Sequence, residues 1–329
     1  MSWPRIFVTQ PIAESALARL RAIAEVEVNP DSSRVLPKDR LIDGVKRADI
    51  LLCLLHDVVD REVLSANPRL RAVSTMNITQ DNIDLAAASE LGIPVTNIPA
   101  IVTDATADIA FGLLLAAARN IVLGDKLFRQ GIYPGSQSSH LAGFAVNGKT
   151  LGLVGFGRIG QAVARRARGF DMRIVYYDPC RAALEEEKKL EAAFRSFEDL
   201  LREADFVSLH PQLTPQTRHL MSDGQFALMK PTAFVINTAR GPVIDEAALV
   251  RALKDKQIAG AALDVHEHEP RVAPELIAMP NVVLTPHLGS AVSELRESMA
   301  HVVVENTIAL IEGRPPVSCL NSEVLKKSF

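Results

Sequence analysis

The chain has 329 residues, of which 48% are hydrophobic, and its formal net charge at pH 7 is −3. A chain of this length exceeds what one hydrophobic core usually fills, so two domains are expected, and the apolar content argues against intrinsic disorder. The slightly negative charge argues against a phosphate backbone or an anionic membrane as partner, so neither nucleic acid nor a membrane is expected.

The sequence gives no sign of export or membrane insertion. Its longest nearly unbroken apolar run, residues 109–118, is shorter than the roughly 20 residues that cross a bilayer, so it predicts a buried helix. The N-terminal WPRIFVTQ lacks the charged start and apolar stretch of a signal peptide. Three widely spaced cysteines, Cys53, Cys180 and Cys319, support neither a disulfide framework nor a thiolate metal site. A reducing, cytoplasmic location is expected.

The N-terminal part of the chain alternates between short β-branched segments and helical patterns. In chain order the clearest segments are RIFVT, ESALARLRAIA, VEV, DILLCLL, LRAVS, NIDLAAASELG and IPVTN. This alternation is typical of an α/β domain built on a parallel sheet.

A helical pattern at about residues 104–119 is apolar almost all round, so other protein must enclose it, and a subunit interface is one way to do so. A second α/β series follows Thr150, with the strand patterns TLGLVG, RIVYYD, FVSLH, TAFVIN, GAALDV and VVLTPH. Pro99 and the segment 286–289 mark the predicted boundaries of this series. The predicted fold is therefore two doubly wound parallel-sheet α/β domains.

Two other helical patterns carry expectations of their own. The segment EEEKK, residues 185–189, is interpreted as a solvated helix face on which Glu185 is spaced to pair with Lys189. The last helix has an apolar face that needs a docking surface. That face consists of Leu295, Met299, Val302, Val303, Ala309 and Leu310.

The segment GLVGFGRIG has the context of a phosphate-binding turn, because it follows an apolar strand and opens a helical pattern. Gly155 permits the tight turn, Gly157 lets the backbone approach a pyrophosphate, and Gly160 lets helix and strand pack closely. The free N–H groups of the helix N-terminus would face the anion. A tight turn without a ligand is the alternative that this pattern leaves open.

The next strand pattern ends in Asp178, 18 residues after Gly160, where a carboxylate can accept hydrogen bonds from both ribose hydroxyls. The same carboxylate would repel a 2′-phosphate. The sequence therefore favours NAD over NADP, although the nearby Arg181 softens that preference.

The segment DVHEHEP, residues 264–270, places two imidazoles and three carboxylates in seven positions. A metal site would need His266, His268 and a carboxylate to converge. Imidazoles at positions i and i+2 of an extended segment point to opposite faces, so no metal is expected. Proton chemistry and a solvated turn remain as interpretations.

The segments GFGRIG, INTARGPVIDEAAL, GAALDVHEHEP and LTPHLGSA together resemble the D-isomer-specific 2-hydroxyacid dehydrogenases, and most closely the glyoxylate/hydroxypyruvate reductases. The resemblance covers about residues 5–320. It implies a flavodoxin-like substrate domain of residues 1–99 and 289–329 and an inserted Rossmann NAD-binding domain of residues 100–288. It also implies a homodimer and a small 2-oxoacid or 2-hydroxyacid substrate.

The family's catalytic residues fall on Arg240, Glu269 and His287. Arginine can hold the carboxylate of a 2-oxoacid in a bidentate fork, which lysine cannot do. His287 can donate a proton to the carbonyl oxygen as general acid when a hydride arrives at the carbon. The carboxylate of Glu269 orients the imidazole and favours its protonated form. Position 266 is commonly Phe in relatives, so His266 is a departure. His56 matches a family position that can face the substrate, but a surface histidine is the equal alternative.

Cofactor contacts carry over from the resemblance to positions beyond the glycine turn. These are Thr106, Arg158, Ile159, His210, Pro211, Thr217, Thr238, Ala239, Asp264 at the nicotinamide end, and Gly289.

The substrate loop departs from the family pattern, in which backbone amides of a GVGYDN-like segment hold the carboxylate. Both glycines are missing from the corresponding NITQDN, residues 77–82, and β-branched Thr79 resists positive φ. We therefore expect a different backbone path or a narrower anion pocket. Asn77, Ile78 and Thr79 are the predicted substrate contacts, with side-chain hydrogen bonds to a substrate larger or more polar than glyoxylate as the hypothesis.

Two rival functions remain at this stage. Some proteins that resemble this family sense NAD as corepressors with little turnover. Phosphite dehydrogenases keep a similar catalytic trio, but their substrate-loop lysine corresponds to Ile78 here.

Overall fold

A computed structural model describes residues 3–136 and 139–325. The chain divides into two compact units, one comprising the chain up to Ile101 and from Ala291 onward, the other Val102–Ser290. Each boundary lies two residues beyond the predicted one. The second unit is thus an insertion in the first.

The first unit contains a five-stranded parallel sheet in the order β2-β1-β3-β4-β5, which is the flavodoxin-like order. Its strands are β1 (Arg5–Val8), β2 (Glu25–Val28), β3 (Ile50–Cys53), β4 (Ala72–Thr75) and β5 (Val95–Thr96). Its helices are α1 (Glu14–Arg21), α2 (Lys38–Arg47), α3 (Arg61–Ser65), α4 (Leu85–Glu90) and, at the other end of the chain, α13 (Ser293–Ile311).

Helix α13 returns to the N-terminal sheet and packs on α1 and β4. Met299, Val303 and Leu310 are buried as the apolar pattern predicts, whereas Leu295 and Val302 are only partly buried. The buried Asn306 amide donates to the carbonyl oxygen of Asn97 at 2.8 Å. The docking surface that this helix needs is therefore the sheet of its own unit.

The second unit contains a seven-stranded parallel sheet in the order β12-β11-β10-β9-β6-β7-β8. Its strands are β6 (Thr150–Val154), β7 (Arg173–Tyr177), β8 (Ala192–Phe194), β9 (Phe206–Leu209), β10 (Phe234–Asn237), β11 (Gly260–Leu263) and β12 (Val282–Leu284). Its helices are α5 (Thr103–Ala118), α6 (Ile121–Arg129), α7 (Arg158–Arg168), α8 (Leu184–Leu190), α9 (Phe197–Glu203), α10 (Asp223–Phe226), α11 (Glu246–Lys254) and α12 (Pro274–Ala278).

The strand order of this sheet reverses between β6 and β9, which are neighbours although β7 and β8 lie between them in sequence. This is the doubly wound Rossmann arrangement, and a crevice opens at the carboxyl ends of the strands where the order reverses. Gly155 follows β6 and His210 follows β9. The predicted dinucleotide residues therefore lie at the switch point of the sheet.

Helix α5 is enclosed by its own unit. It packs against α7 and the strands β10, β11 and β12, and nine of its residues are buried, among them Phe111, Leu113 and Leu114. Its burial therefore requires no second subunit, unlike the alternative raised from the sequence. Within the described residues no single helix has the length and apolarity of a membrane span, although α5 and α6, bent by 65°, satisfy that test together.

The prediction of a solvated face for residues 185–189 is wrong at Glu187. This residue is 8% exposed, and its carboxylate binds Arg181 and the hydroxyl of Tyr176. The i, i+4 spacing indicated a surface pair, but it could not reveal a partner that precedes the helix.

Candidate active site

The glycine turn after β6 is as tight as its sequence predicts. Gly155 has φ of +91°, and a Cβ atom placed on it would lie 2.7 Å from the backbone of His210. A Cβ on Gly160 would lie 2.3 Å from the carbonyl oxygen of Gly155, so the helix approaches the turn closely. A Cβ on Gly157 would meet no atom within 4 Å. Close packing therefore requires glycine at positions 155 and 160, whereas position 157 faces open space.

Asp178 lies directly after β7, and its carboxylate is held by backbone amides. One oxygen accepts from Phe156 N at 2.9 Å and the other from Cys180 N at 3.0 Å. Since Phe156 belongs to the glycine turn, Asp178 is fixed against that turn. A carboxylate so oriented can accept hydrogen bonds from ribose hydroxyls.

Two side chains at the neighbouring strand ends each have a buried polar atom with unused hydrogen-bonding capacity among the described residues. His210 Nε2 lies 2.9 Å from the hydroxyl of Ser208, while its Nδ1 has no partner among the described residues. Burial lowers the pKa of His210 to about 3, so the ring is neutral at ordinary pH. The buried Thr238 hydroxyl after β10 likewise finds no partner in the described part of the chain.

Asp264, at the end of β11, anchors the segment that carries His287. Its two carboxylate oxygens accept from the hydroxyl of Thr285 at 2.6 Å, from Leu288 N at 2.7 Å and from Gly289 N at 2.8 Å. The side chain is 1% exposed. Its predicted contact with the nicotinamide remains a prediction, and its observed role is structural.

His287 and Glu269 form the pair that the family resemblance implied. His287 Nδ1 lies 3.2 Å from Glu269 Oε2, and the side chains are 18% and 21% exposed. The other oxygen of Glu269 accepts from the backbone amide of His266 at 3.0 Å. His287 has φ of +57°, and its amide donates to the carbonyl oxygen of Asp264. With Nδ1 facing the carboxylate, proton transfer to a ligand would use Nε2.

Arg240 follows β10 on a loop fixed by Asn237. The Asn237 amide donates to the carbonyl oxygen of Arg240 at 3.0 Å and accepts from Ala239 N at 3.0 Å. A Cβ on the next residue, Gly241, would lie 1.8 Å from the carbonyl oxygen of His266. The loop with Arg240 therefore packs directly on the loop that holds Glu269.

His266 and His268 do not converge. The ring of His266 is buried, and its Nε2 donates to the carbonyl oxygen of Thr285 at 3.1 Å, whereas His268 is exposed. The remaining acidic residue of this segment, Glu267, binds His219 Nε2 at 2.5 Å. This contact was not expected, because the sequence offered no partner for His219.

The predicted substrate loop belongs to the first unit, apart in the chain from the residues above. The buried Asn77 side chain binds Asn82 at 3.2 Å and accepts from Ile78 N at 2.7 Å. The hydroxyl of Thr79 donates to Asp81 at 2.8 Å. Residues 77–82, all of them described, include none with positive φ. The loop is therefore held by its own side chains together with Asn97, whose amide donates to the carbonyl oxygen of Ile78 at 2.8 Å.

The remaining predicted cofactor residues occupy the second unit. The buried hydroxyl of Thr106, near the start of α5, donates to the carbonyl oxygen of Gly289 at 3.3 Å. Arg158 and Ile159 open α7. Pro211 follows His210, and the hydroxyl of Thr217 donates to the carbonyl oxygen of Gln212 at 2.5 Å. Their contacts with a cofactor stay predictions.

Three residues that shape the site were not identified from the sequence. The Thr285 hydroxyl donates to Asp264, and the Asn237 side chain donates to the loop that carries Arg240. The Glu246 carboxylate accepts a hydrogen bond from Glu267 N at 2.8 Å. Thr285 and Asn237 lie at the carboxyl ends of strands, as most predicted site residues do, and this position was the available signal. Nothing in the sequence around Glu246 or Glu267 indicates the contact between them.

Comparison with known proteins gives a consistent picture. The family model described as D-isomer specific 2-hydroxyacid dehydrogenase, NAD binding domain, matches residues 111–289. The glyoxylate reductase of Pyrococcus furiosus is 46% identical over 98% of this chain and 97% of its own length.

Solved structures agree with these matches. A glyoxylate reductase from Paecilomyes thermophila superposes with a TM-score of 0.81 at 31% identity, covering 98% of this chain and 100% of that one. An NADPH-dependent glyoxylate/hydroxypyruvate reductase from Sinorhizobium meliloti, solved with NADP and malonate, gives a TM-score of 0.81 at 30% identity and covers 97% of each chain.

Proposed function

Since the chain belongs to the D-isomer specific 2-hydroxyacid dehydrogenases, we propose that it reduces a small 2-oxoacid of the glyoxylate or hydroxypyruvate type with NADH. It is an NAD(P)-dependent oxidoreductase acting on 2-hydroxy acids. The observation that supports the detailed proposal best is the contact between His287 Nδ1 and Glu269 Oε2. The corepressor and phosphite dehydrogenase alternatives are not favoured by the relatives.

The residues at the switch point fit a dinucleotide. Gly157 leaves open space before α7, whose first-turn amides have no side-chain cap, and such a helix end suits a pyrophosphate. Asp178 suits the ribose hydroxyls of NAD. The unused polar atoms of His210 and Thr238 offer further hydrogen bonds at adjacent strand ends. When bound, NADH supplies the hydride that reduces the 2-oxo carbon.

Arg240 is assigned to the substrate carboxylate, which its guanidinium can hold in a bidentate, charge-assisted fork. His287 is assigned as general acid. Its Nε2 donates a proton to the carbonyl oxygen, where negative charge develops during reduction. Glu269 keeps Nδ1 of the ring occupied and so fixes the orientation of the imidazole. In the reverse direction the neutral ring accepts the hydroxyl proton.

The substrate loop is assigned a supporting role. Since the Thr79 hydroxyl, the Asn77 amide and the Ile78 N–H already bind within the loop, we infer that these groups contribute few contacts with a substrate. This weakens the hypothesis of side-chain contacts to a larger substrate and favours a small 2-oxoacid.

Assembly and location are inferred more indirectly. Helix α6 has no buried residue and exposes Ile121, Val122 and Phe128 at 55%, 50% and 70%. An apolar surface of this kind supports the homodimer that the family suggests. The small number of cysteines supports a cytoplasmic location.

The proposal is tested by following NADH consumption with glyoxylate, hydroxypyruvate, pyruvate and a bulkier 2-oxoacid. Rapid turnover of glyoxylate and hydroxypyruvate is expected. In the reverse direction, oxidation of the D-isomer of the hydroxy acid formed from hydroxypyruvate should be measurable, and its L-isomer should not be oxidised. Tight NADH binding without turnover of any 2-oxoacid would instead favour a sensor function.

A further inference from the structure

We propose that Glu187 is a positioning residue for cofactor choice, which makes the site selective for NAD by holding the guanidinium of Arg181 and so denying a cation to the 2′-phosphate of NADP. The inference rests on the proposed dinucleotide site and names a residue outside it. Arg181 lies three residues after Asp178, the proposed ribose ligand. It was the one feature of the sequence that weakened the preference for NAD.

The guanidinium of Arg181 is bound on one edge by Glu187 and on one face by Phe194. Its Nε donates to Glu187 Oε1 at 2.8 Å and its Nη2 to Glu187 Oε2 at 2.9 Å, which is a bidentate pair. Its Cζ atom lies 5.6 Å from the ring centroid of Phe194. A phosphate could bind this edge of the guanidinium only if the pair with Glu187 broke.

Glu187 is itself fixed, although it lies in a helix with many charged residues. Its side chain is 9% exposed and accepts a hydrogen bond from the Tyr176 hydroxyl at 2.6 Å. The hydrogen bonds from Arg181 and from Tyr176 lower the pKa of Glu187 to about 2. The carboxylate is therefore charged throughout the physiological range and always available to Arg181.

This pair is connected to the glycine turn through aromatic packing. Tyr176 stacks on Phe156 with ring centroids 3.9 Å apart and an interplanar angle of 19°. Phe156 lies between Gly155 and Gly157, and its amide donates to Asp178. The pair thus adjoins the elements proposed to bind the adenosine half of the cofactor.

The electrostatic consequence is specific to the phosphate. A 2′-phosphate carries about two negative charges and would meet the carboxylate of Asp178, while Arg181 is already neutralised by Glu187. A 2′-hydroxyl has no such conflict, because it needs only an acceptor. Glu187 should therefore affect NADPH binding and leave NADH binding largely unchanged.

The test is direct binding of both reduced cofactors to the full chain, measured by the fluorescence of NADH and NADPH, without substrate. Glu187→Gln keeps the size of the side chain and the acceptor for Tyr176 but removes the charge that holds Arg181. We expect Kd for NADPH to fall about tenfold and Kd for NADH to change less than threefold. A double variant that adds Arg181→Gln should lose the gain. If Glu187 has a purely structural role, the variant should bind both cofactors more weakly, and this result would overturn the proposal.

A second variant keeps the test decisive if Glu187→Gln folds poorly. Arg181→Gln alone should leave the ratio of the two Kd values within about twofold of wild type, because in the wild-type chain the guanidinium is bound to Glu187 and not to the cofactor. Selective weakening of NADPH by this variant would show that Arg181 serves the phosphate, and the proposal would be wrong. Failure of both cofactors to bind the wild-type chain would instead contradict the proposed function.

Discussion

The carboxylate of Asp264 holds Gly289, two residues beyond His287, by accepting a hydrogen bond from its backbone amide at 2.8 Å. Leu288 and Thr285 donate to the same carboxylate, and the His287 amide donates to the Asp264 carbonyl oxygen. The position of the imidazole therefore depends on a buried acid that follows another strand. The position of the proposed proton donor is set by residues outside the pair of His287 and Glu269.

Asp264→Asn tests this dependence. The side-chain NH2 of asparagine would face at least one of the three N–H or O–H groups that now donate to the carboxylate. We therefore expect the unfolding free energy to fall by about 1–3 kcal/mol and kcat to fall at least about tenfold. Thr285→Val is the matched control, because it removes one donor and leaves two, and it should have a smaller effect. Urea denaturation and steady-state kinetics measure both. Full activity in the asparagine variant would show that the anchor is dispensable.

Arg240→Lys tests the carboxylate fork. Lysine keeps the charge but cannot form two parallel hydrogen bonds, so KM for a 2-oxoacid should rise roughly 10- to 100-fold. The Kd for NADH should stay within about twofold, since this residue is assigned to the substrate. A variant with unchanged KM would remove Arg240 from the substrate site.

His210 makes a prediction about stability and pH. Its folded-state pKa of about 3 lies below the ordinary value of 6.5, so the unfolded chain binds a proton between these values that the folded chain does not. This group therefore favours unfolding increasingly as pH falls from 6.5 towards 3, and at pH 5 the loss relative to pH 8 is about 2 kcal/mol.

His210→Gln removes that titration. The difference in unfolding free energy between wild type and variant should accordingly shift by about 2 kcal/mol in favour of the variant between pH 8 and pH 5. Replacing the exposed His140 by Gln provides the control and should show no such shift. A parallel pH dependence of wild type and His210→Gln would show that the ring is not buried in its neutral form.

His266→Phe tests whether the extra imidazole beside Glu269 has a chemical role. The group that holds Glu269 is the backbone amide of residue 266, which every residue except proline provides. We expect kcat within about threefold of wild type and a stability change near 1 kcal/mol, because one hydrogen bond and one unsatisfied nitrogen are removed together. A large loss of kcat at normal stability would give the His266 ring a part in catalysis.

Much of the fold was accessible from local patterns. The apolar runs that form β6, β7 and β9 to β12 are each followed by turn or polar residues, and the glycine turn has a sequence dictated by close packing at Gly155 and Gly160. The three-residue strand β8 was not predicted, because AAF is short and has no β-branched residue.

The contact between Glu269 and His287 was implied by the family resemblance, and the roles given to these two residues and to Arg240 remain predictions. Contacts that join distant segments were not predictable. His219 and Glu267 are 48 residues apart in sequence, and nothing local to either residue indicates their contact. Glu187 looked solvated because its environment is created by the residues that precede α8, and only the folded chain places them over it.

The most direct test of the central claim is kcat for glyoxylate reduction by His287→Gln, with NADH affinity measured on the same sample. If His287 donates the proton to the carbonyl oxygen, kcat should fall by about 10² to 10⁴ while Kd for NADH stays within about threefold. A variant that binds NADH normally and reduces glyoxylate at a rate near that of wild type would contradict the assignment of this imidazole as the general acid.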